Sequence, residues 1–317
     1  MRTPAEGRSQ LRVAVVFPGQ GTQQPGMARP WKGQRAWSVI DAAEDALGES
    51  LAPLVLDAPA EQLARTRDAQ LAVLLTSLVA WDAVHEPLAA AGHEIVGFAG
   101  HSLGQVTALI ASGVLDLGDG VRFAVARADA TQRAADAHPG RMAALLGAEP
   151  EQAQAACDGI DCWVANDNAP GQIVIAGTPE GLEAALVRAK ELGVRRASTL
   201  AVGGAFHTPL MADASGALAA ALDGVALHEP SAPVVSNADA SAFSDGEGWR
   251  TRLVEHPTRP VQWRASMLTL ADDLGAERFV EAGHGSMIAG VAKRTVPNVA
   301  VIGVAGPDDL PRLEEHE

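Results

Sequence analysis

The stretch best suited to chemistry is Gly100-His101-Ser102-Leu103-Gly104, which follows the apolar run Ile95-Val96-Gly97-Phe98-Ala99 and precedes Gln105-Val106-Thr107-Ala108-Leu109-Ile110-Ala111. It reads as strand, sharp turn, helix. A serine in a G-x-S-x-G turn between a buried strand and a helix is a nucleophile-elbow pattern, because small flanking residues permit the tight, strained backbone that projects the hydroxyl. The residue after the serine opens the helix. Its free N–H, with the positive end of the helix dipole, can face an oxyanion forming on an attacked carbonyl. The same five residues also suit a glycine-rich turn with a bystander serine, so the rest of the chain decides between the two.

Three other positions bear on that choice. His207, in the loop Gly203-Gly204-Ala205-Phe206-His207-Thr208-Pro209, is the candidate base. Arg127 lies on a helix predicted over 118–135 and shares its stripe with Phe123, Ala130 and Ala134, while Arg122 and Arg133 sit well around the axis. Arg127 therefore points inward, where an unpaired charge is costly and an anionic partner is needed. A structural ion pair and a bound anion both meet that need. Finally, Pro18-Gly19-Gln20-Gly21 follows a first strand at 11–17, and its glycines let the Gln20 N–H approach a reacting centre. Neither G-x-G-x-x-G nor a Walker lysine is present, so this loop does not read as a nucleotide cradle.

The frame holding these groups is large enough for a substantial core: 317 residues, with a net charge of −15. That charge argues against nucleic-acid binding, which needs a basic footprint, and obliges an acidic protein partner to dock on a local basic patch. Cys157 and Cys162 form no C-x-x-C pair, which points to neither metal nor redox work and suits a reducing compartment. We read no metal site. Residues 1–12 have no apolar signal-peptide core and no segment runs to 18 uninterrupted apolar residues, so the expectation is a cytoplasmic protein without a membrane span.

Along the chain, residues 37–90 read as helices broken by Pro53, Pro59 and Pro87, with a buried helix over 70–83. Beyond His138-Pro139-Gly140 strands and helices alternate as β-α-β-β-α-β, a ferredoxin-like pattern. Its second helix and following turn hold Arg188, Lys190, Arg195 and Arg196, either a solvated face or a docking patch for an acidic carrier. Further strands are expected at 234–237, 278–281 and 299–304. The fold class is thus α/β: a large α/β-hydrolase-like subdomain with a parallel-sheet core, over 11–137 and 204–305, and an inserted small ferredoxin-like subdomain over 138–203. Residues 1–10 and 306–317 are expected to be flexible tails.

With these residues set out, the chain resembles the malonyl-CoA:acyl-carrier-protein transacylases of fatty-acid and polyketide synthesis. The resemblance rests on Phe17-Pro18-Gly19-Gln20-Gly21-Thr22-Gln23, Gly100–Gly104, Arg127 with Gln132, Asn166-Asp167-Asn168-Ala169-Pro170-Gly171-Gln172, Ala205-Phe206-His207 and Pro260-Val261-Gln262-Trp263, in family order. It implies that Ser102 is the acylated nucleophile and His207 its base, with the main-chain carbonyl of Gln262 orienting the histidine in place of a third carboxylate. It further implies an oxyanion hole from the N–H groups of Gln20 and Leu103, and a malonyl carboxylate held by Arg127. Phe206, beside the histidine, would crowd an α-substituent on the acyl group. The sequence departs from the family pattern at Gln105, commonly Glu, at Ala128 and Thr131, commonly Gly and Met, and at Gly283-His284-Gly285, commonly Gly-Pro-Gly.

The implied reaction is a ping-pong transfer of malonyl from coenzyme A to the phosphopantetheine thiol of an acyl carrier protein. The enzyme is expected to be a monomer with no permanently bound cofactor, its carrier docking at the cleft between subdomains near the four basic residues. His101 is expected to line the substrate site rather than act as base, because adjacent residues on an elbow point apart. Asn166, Asn168 and Gln172 are expected to hold the loop between subdomains through side-chain hydrogen bonds. Rival readings are an α/β-hydrolase esterase, an editing hydrolase of acyl carriers, an acyltransferase moving a non-malonyl group between carriers, and a non-catalytic carrier-docking protein.

Overall fold

The computed structural model describes residues 10–314. Strands β1 (Arg12–Phe17), β2 (Glu94–Gly100), β7 (Val234–Val235), β8 (Ala242–Phe243), β9 (Arg278–Ala282) and β10 (Ala300–Val304) form one sheet in the order β10-β9-β1-β2-β7-β8. All neighbours are parallel except the short β8 against β7. Val13 to Phe17 are wholly buried, because helices cover both faces of the sheet and leave no side for polar residues. Phe17 pairs with Gly100, so the loop after β1 and the turn after β2 leave the sheet side by side at its carboxyl end. In open α/β sheets that edge is where ligands bind.

The second sheet comprises β3 (Arg141–Leu146), β4 (Cys162–Ala169), β5 (Gln172–Gly177) and β6 (Arg196–Thr199), all antiparallel, in the order β4-β5-β3-β6. With helices Pro150–Cys157 and Pro179–Glu191 as its crossovers, this is the ferredoxin-like order. The helices pack one face of this sheet. The opposite face, with Met142 and Val174, turns toward Ala205 and Phe206 of the large unit. Cys157 and Cys162, far from a C-x-x-C spacing, still meet within the small core at 3.6 Å between sulfurs.

Two expectations are corrected. The helical stretch is interrupted before Pro53 and at Pro59, which stand at the starts of the short helices Ala52–Leu56 and Ala60–Leu63, where no helical N–H bond is lost to proline. Pro87, however, breaks nothing: the helix Thr66–Ala90 runs three residues beyond it. It is long and apolar enough to cross a membrane, but two thirds of its most apolar window is buried inside the protein, as befits a core helix. The C-terminal tail is also not loose within the described residues: Pro307–Glu314 forms 3-10 turns that bury Leu313, whose carbonyl meets His93 Nε2. The N-terminal tail, apart from Gln10, and residues 315–317 lie outside the described residues.

Candidate active site

The elbow is as tight as its glycines suggest. A Cβ at Gly100 would lie 1.8 Å from the Gly104 carbonyl oxygen, and one at Gly104 would lie 2.3 Å from that of Phe17. Ser102 itself has φ 51°, a left-handed backbone that L-residues adopt only when their surroundings impose it. His207, with φ 63°, is held in the same region. The two strained residues meet: Ser102 Oγ lies 2.6 Å from His207 Nε2.

The imidazole is fixed from behind by main-chain carbonyls. Nδ1 lies 3.2 Å from the His256 carbonyl and 3.1 Å from that of Arg259. Both are acceptors only, so Nδ1 carries the proton and Nε2 is the bare nitrogen that accepts from the serine hydroxyl. The Gln262 carbonyl, expected in this role, instead accepts from the Ser266 N–H and hydroxyl. The displacement has a simple cause: Gln262 stands at the mouth of the helix Trp263–Leu268, which uses its carbonyl for its first turn. The 3-10 turn His256–Thr258 and the residue after it provide the carbonyls instead, that of His256 also accepting the Arg259 N–H that closes the turn.

Arg127 Nη2 lies 3.4 Å from Ser102 Oγ, and Nη1 donates to Gln70 Oε1 at 2.6 Å. The side chain is buried, its Nε has no partner, and none of the ion pairs among the described residues involves it. Burial lowers its pKa to about 10, which still leaves it charged at neutral pH. A buried guanidinium without a carboxylate has the charge and the donors to take an anion. Gln20, Leu103, His101, Phe206, Arg127 and the dyad all line one cavity of about 200 Å³ at the seam of the two sheets. The backbone N–H groups of Gln20 and Leu103 have no protein acceptor among the described residues. On the far side of His207 a larger cavity of about 750 Å³ is walled by Trp163, Asp167 and Gln262. It reaches neither Ser102 nor Arg127, so the candidate site is the smaller one.

His101 turns away from the dyad. Its Nε2 meets Asn168 Oδ1 at 2.8 Å and its ring packs edge-on against Trp263. Asn166 joins β4 to Val261 across the seam, and Gln172 meets Arg294. The substitutions at Gln105, Ala128 and Thr131 and the Gly283–Gly285 turn fall outside the lining of the cavity. Gln105 is still structurally engaged, accepting the Asn237 N–H at 2.7 Å. Asn237 and Gln70 carry no role in the sequence reading, since each is a single polar residue outside any motif, and His256 reads there only as a surface or structural histidine; all three are buried.

Burial pushes the pKa of His207 down to about 3, helped by the positive charge of Arg127 and by His101. Burial also lowers those of His101 and His256. All three are therefore neutral in the fold, and below pH ~6.5 the unfolded chain takes up protons the folded chain refuses. Stability is fully present above that pH and is lost as pH falls toward the folded values. For His207 alone the loss is about 2 kcal/mol by pH 5. Urea unfolding at pH 7.5 and pH 5 should show a steeper loss in the wild type than in His207→Ala; parallel losses would refute the buried-neutral assignment.

The acyl transferase domain family profile matches residues 14–309. The malonyl CoA-acyl carrier protein transacylase of Bacillus subtilis is 35% identical over 306 residues, spanning 94% of this chain and 95% of that protein. An acyl carrier protein S-malonyltransferase from Vibrio cholerae superposes with a TM-score of 0.89 at 32% identity, over 95% of this chain and 99% of that one. A malonyl-transacylase solved in complex with a type II PKS acyl-carrier protein gives 0.90 at 32% identity, over 96% and 100% of the two chains.

Proposed function

The chain belongs to the acyl transferase domain family, and from that premise we propose that it moves a malonyl group from coenzyme A to the phosphopantetheine thiol of an acyl carrier protein. The observation that carries the reading is Arg127: a buried guanidinium with no carboxylate of its own, 3.4 Å from the nucleophile's oxygen. A thioester whose acyl chain ends in a carboxylate fills that gap. An acetyl or long-chain acyl group leaves it open.

His207 Nε2 takes the Ser102 proton as Oγ bonds to the thioester carbonyl carbon. The resulting oxyanion is held by the N–H groups of Gln20 and Leu103. The carbon–sulfur bond then breaks and coenzyme A leaves with the proton from His207. In the second half His207 deprotonates the carrier's thiol, its sulfur bonds to the ester carbon, and Ser102 departs with that proton. The pair of Arg127 with the carboxylate fixes the ester and occupies the space from which water would attack. Phe206, on the cavity wall, narrows the room for a substituent on the α-carbon. Mass spectrometry after incubation with malonyl-CoA tests the scheme: one malonyl adduct on wild type and none on Ser102→Ala is expected. An unmodified wild type, or an adduct that survives the substitution, overturns it.

The carrier's entry is supported by charge. β6, an edge strand, begins at Arg196 next to Arg195, and the chain runs on from it into Leu200 and Val202 on the cavity wall. These arginines stand out in a chain of net charge −15 and offer an acidic carrier a local landing site beside the cleft. Reversing both (Arg195→Glu with Arg196→Glu) should raise KM for the carrier about tenfold while leaving the rate of Ser102 acylation by malonyl-CoA unchanged. Stopped-flow acylation and steady-state carrier titration separate the two; an unchanged carrier KM would remove this surface from consideration.

A further inference from the structure

Asn237 is fully buried and lies two residues beyond β7, the strand next to β2, so it reaches the elbow from the neighbouring strand end. Its Oδ1 accepts the Ser102 N–H at 2.8 Å and also lies 3.2 Å from His256 Nε2. Its Nδ2 donates to the Gly100 carbonyl at 2.8 Å. These contacts settle the orientation of the amide, since only the oxygen can serve an N–H and only the nitrogen a carbonyl. The main chain of Asn237 is equally committed: its N–H goes to Gln105 Oε1 and its carbonyl accepts the Gln262 N–H at 2.7 Å. His256 in turn places its own carbonyl on His207 Nδ1.

We propose that Asn237 is the positioning residue of the dyad, one side chain that ties the strained turn carrying Ser102 to the segment that orients His207. Three features support this. The Ser102 conformation needs an external restraint, and its N–H is the only main-chain donor of the elbow given to a side chain. The oxygen that restrains it is shared with His256, so the two halves of the dyad are set by a common atom. Finally, His256 is buried and neutral, with Nδ1 unpartnered, which assigns its single proton to Nε2 as the donor toward Asn237. The inference rests on the acyl-serine reading above. Acylation of the wild type is its control: a wild type that is not acylated defeats that reading, whereas the outcomes below bear on Asn237 alone.

In Asn237→Ala the acylation rate by malonyl-CoA should fall at least 30-fold, with the malonyl-CoA Kd, measured in a Ser102→Ala background, changing less than twofold. A rate within threefold of wild type, or an affinity lost in step with the rate, overturns the assignment, the second because it marks general support of the fold. If that variant does not fold, Asn237→Asp decides. Its protonated carboxyl reproduces one donor and one acceptor, whereas its ionised form turns a negative oxygen on the Gly100 carbonyl. Acylation by Asn237→Asp should therefore drop more than fivefold between pH 6 and pH 8.5 while the wild type stays level. A profile parallel to wild type refutes the proposal.

Discussion

With Arg127 replaced by alanine, malonyl transfer is expected to fall by about 10²–10³-fold in kcat/KM, while acetyl transfer changes by less than about threefold. The size follows from truncating one partner of a desolvated charge pair, which costs about 2–5 kcal/mol, and each 1.4 kcal/mol is about tenfold in rate. The asymmetry follows from geometry, since acetyl has no carboxylate to lose. Arg127→Lys should recover little, because a lysine cannot present the planar fork that clasps both carboxylate oxygens, and its ammonium is more costly to desolvate. The substitution has a second signature. Arg127 is the second largest cause, after burial, of the low pKa of His207, so removing it should shift the acid limb of acetyl transfer upward. The limb should stay below pH 6.5, because the burial remains. Steady-state kinetics with both donors from pH 4.5 to 8 checks both points; equal losses for malonyl and acetyl would show that Arg127 does not hold the carboxylate.

What the sequence made legible and what it did not divide along a physical line. The elbow could be read because its glycines answer steric demands that only glycine meets, with Gly100 and Gly104 each pressed against main-chain oxygens. The inward face of Arg127 could be read because helical periodicity places residues around an axis. The ferredoxin-like alternation was legible for the same kind of reason, and the observed order β4-β5-β3-β6 follows from it. The carbonyls on His207 Nδ1 were not legible. Every residue has a carbonyl, so which one is free depends on where a helix begins, here one residue after Gln262. Asn237 was hidden for a related reason: its value comes from the pairing of β7 with β2, a contact between residues 136 positions apart at Phe98 and Val234. The packed segment Pro307–Glu314 escaped because it buries one leucine, Leu313, among prolines and charged neighbours that read as a loop.

Removal of the base should be the second large loss. His207→Ala is expected to slow acylation by about 10²–10⁴-fold, the usual share of a positioned general base, and not to abolish it. The Gln20 and Leu103 N–H groups and Arg127 would still hold the thioester beside a serine that has lost its proton acceptor. Adding Ser102→Ala to His207→Ala should bring the rate down only to background, short of the product of the two losses, because the pair acts as a unit. The pH profile of the wild type sharpens the assignment. The base must be neutral, so its limb lies on the acid side. In the free enzyme burial and Arg127 hold His207 near a pKa of about 3, and kcat/KM should stay level from pH 8 to about pH 5. Once a malonyl carboxylate neutralises Arg127, that part of the downward push is lifted and the pKa of His207 in the complex rises. The acid limb of kcat should therefore appear at higher pH than that of kcat/KM, a separation that acetyl-CoA, which leaves Arg127 unneutralised, should not produce. Coincident limbs for both donors would mean that the charge on Arg127 is not felt by the base. The carboxylate would then serve to hold the substrate without tuning the histidine that takes the Ser102 proton.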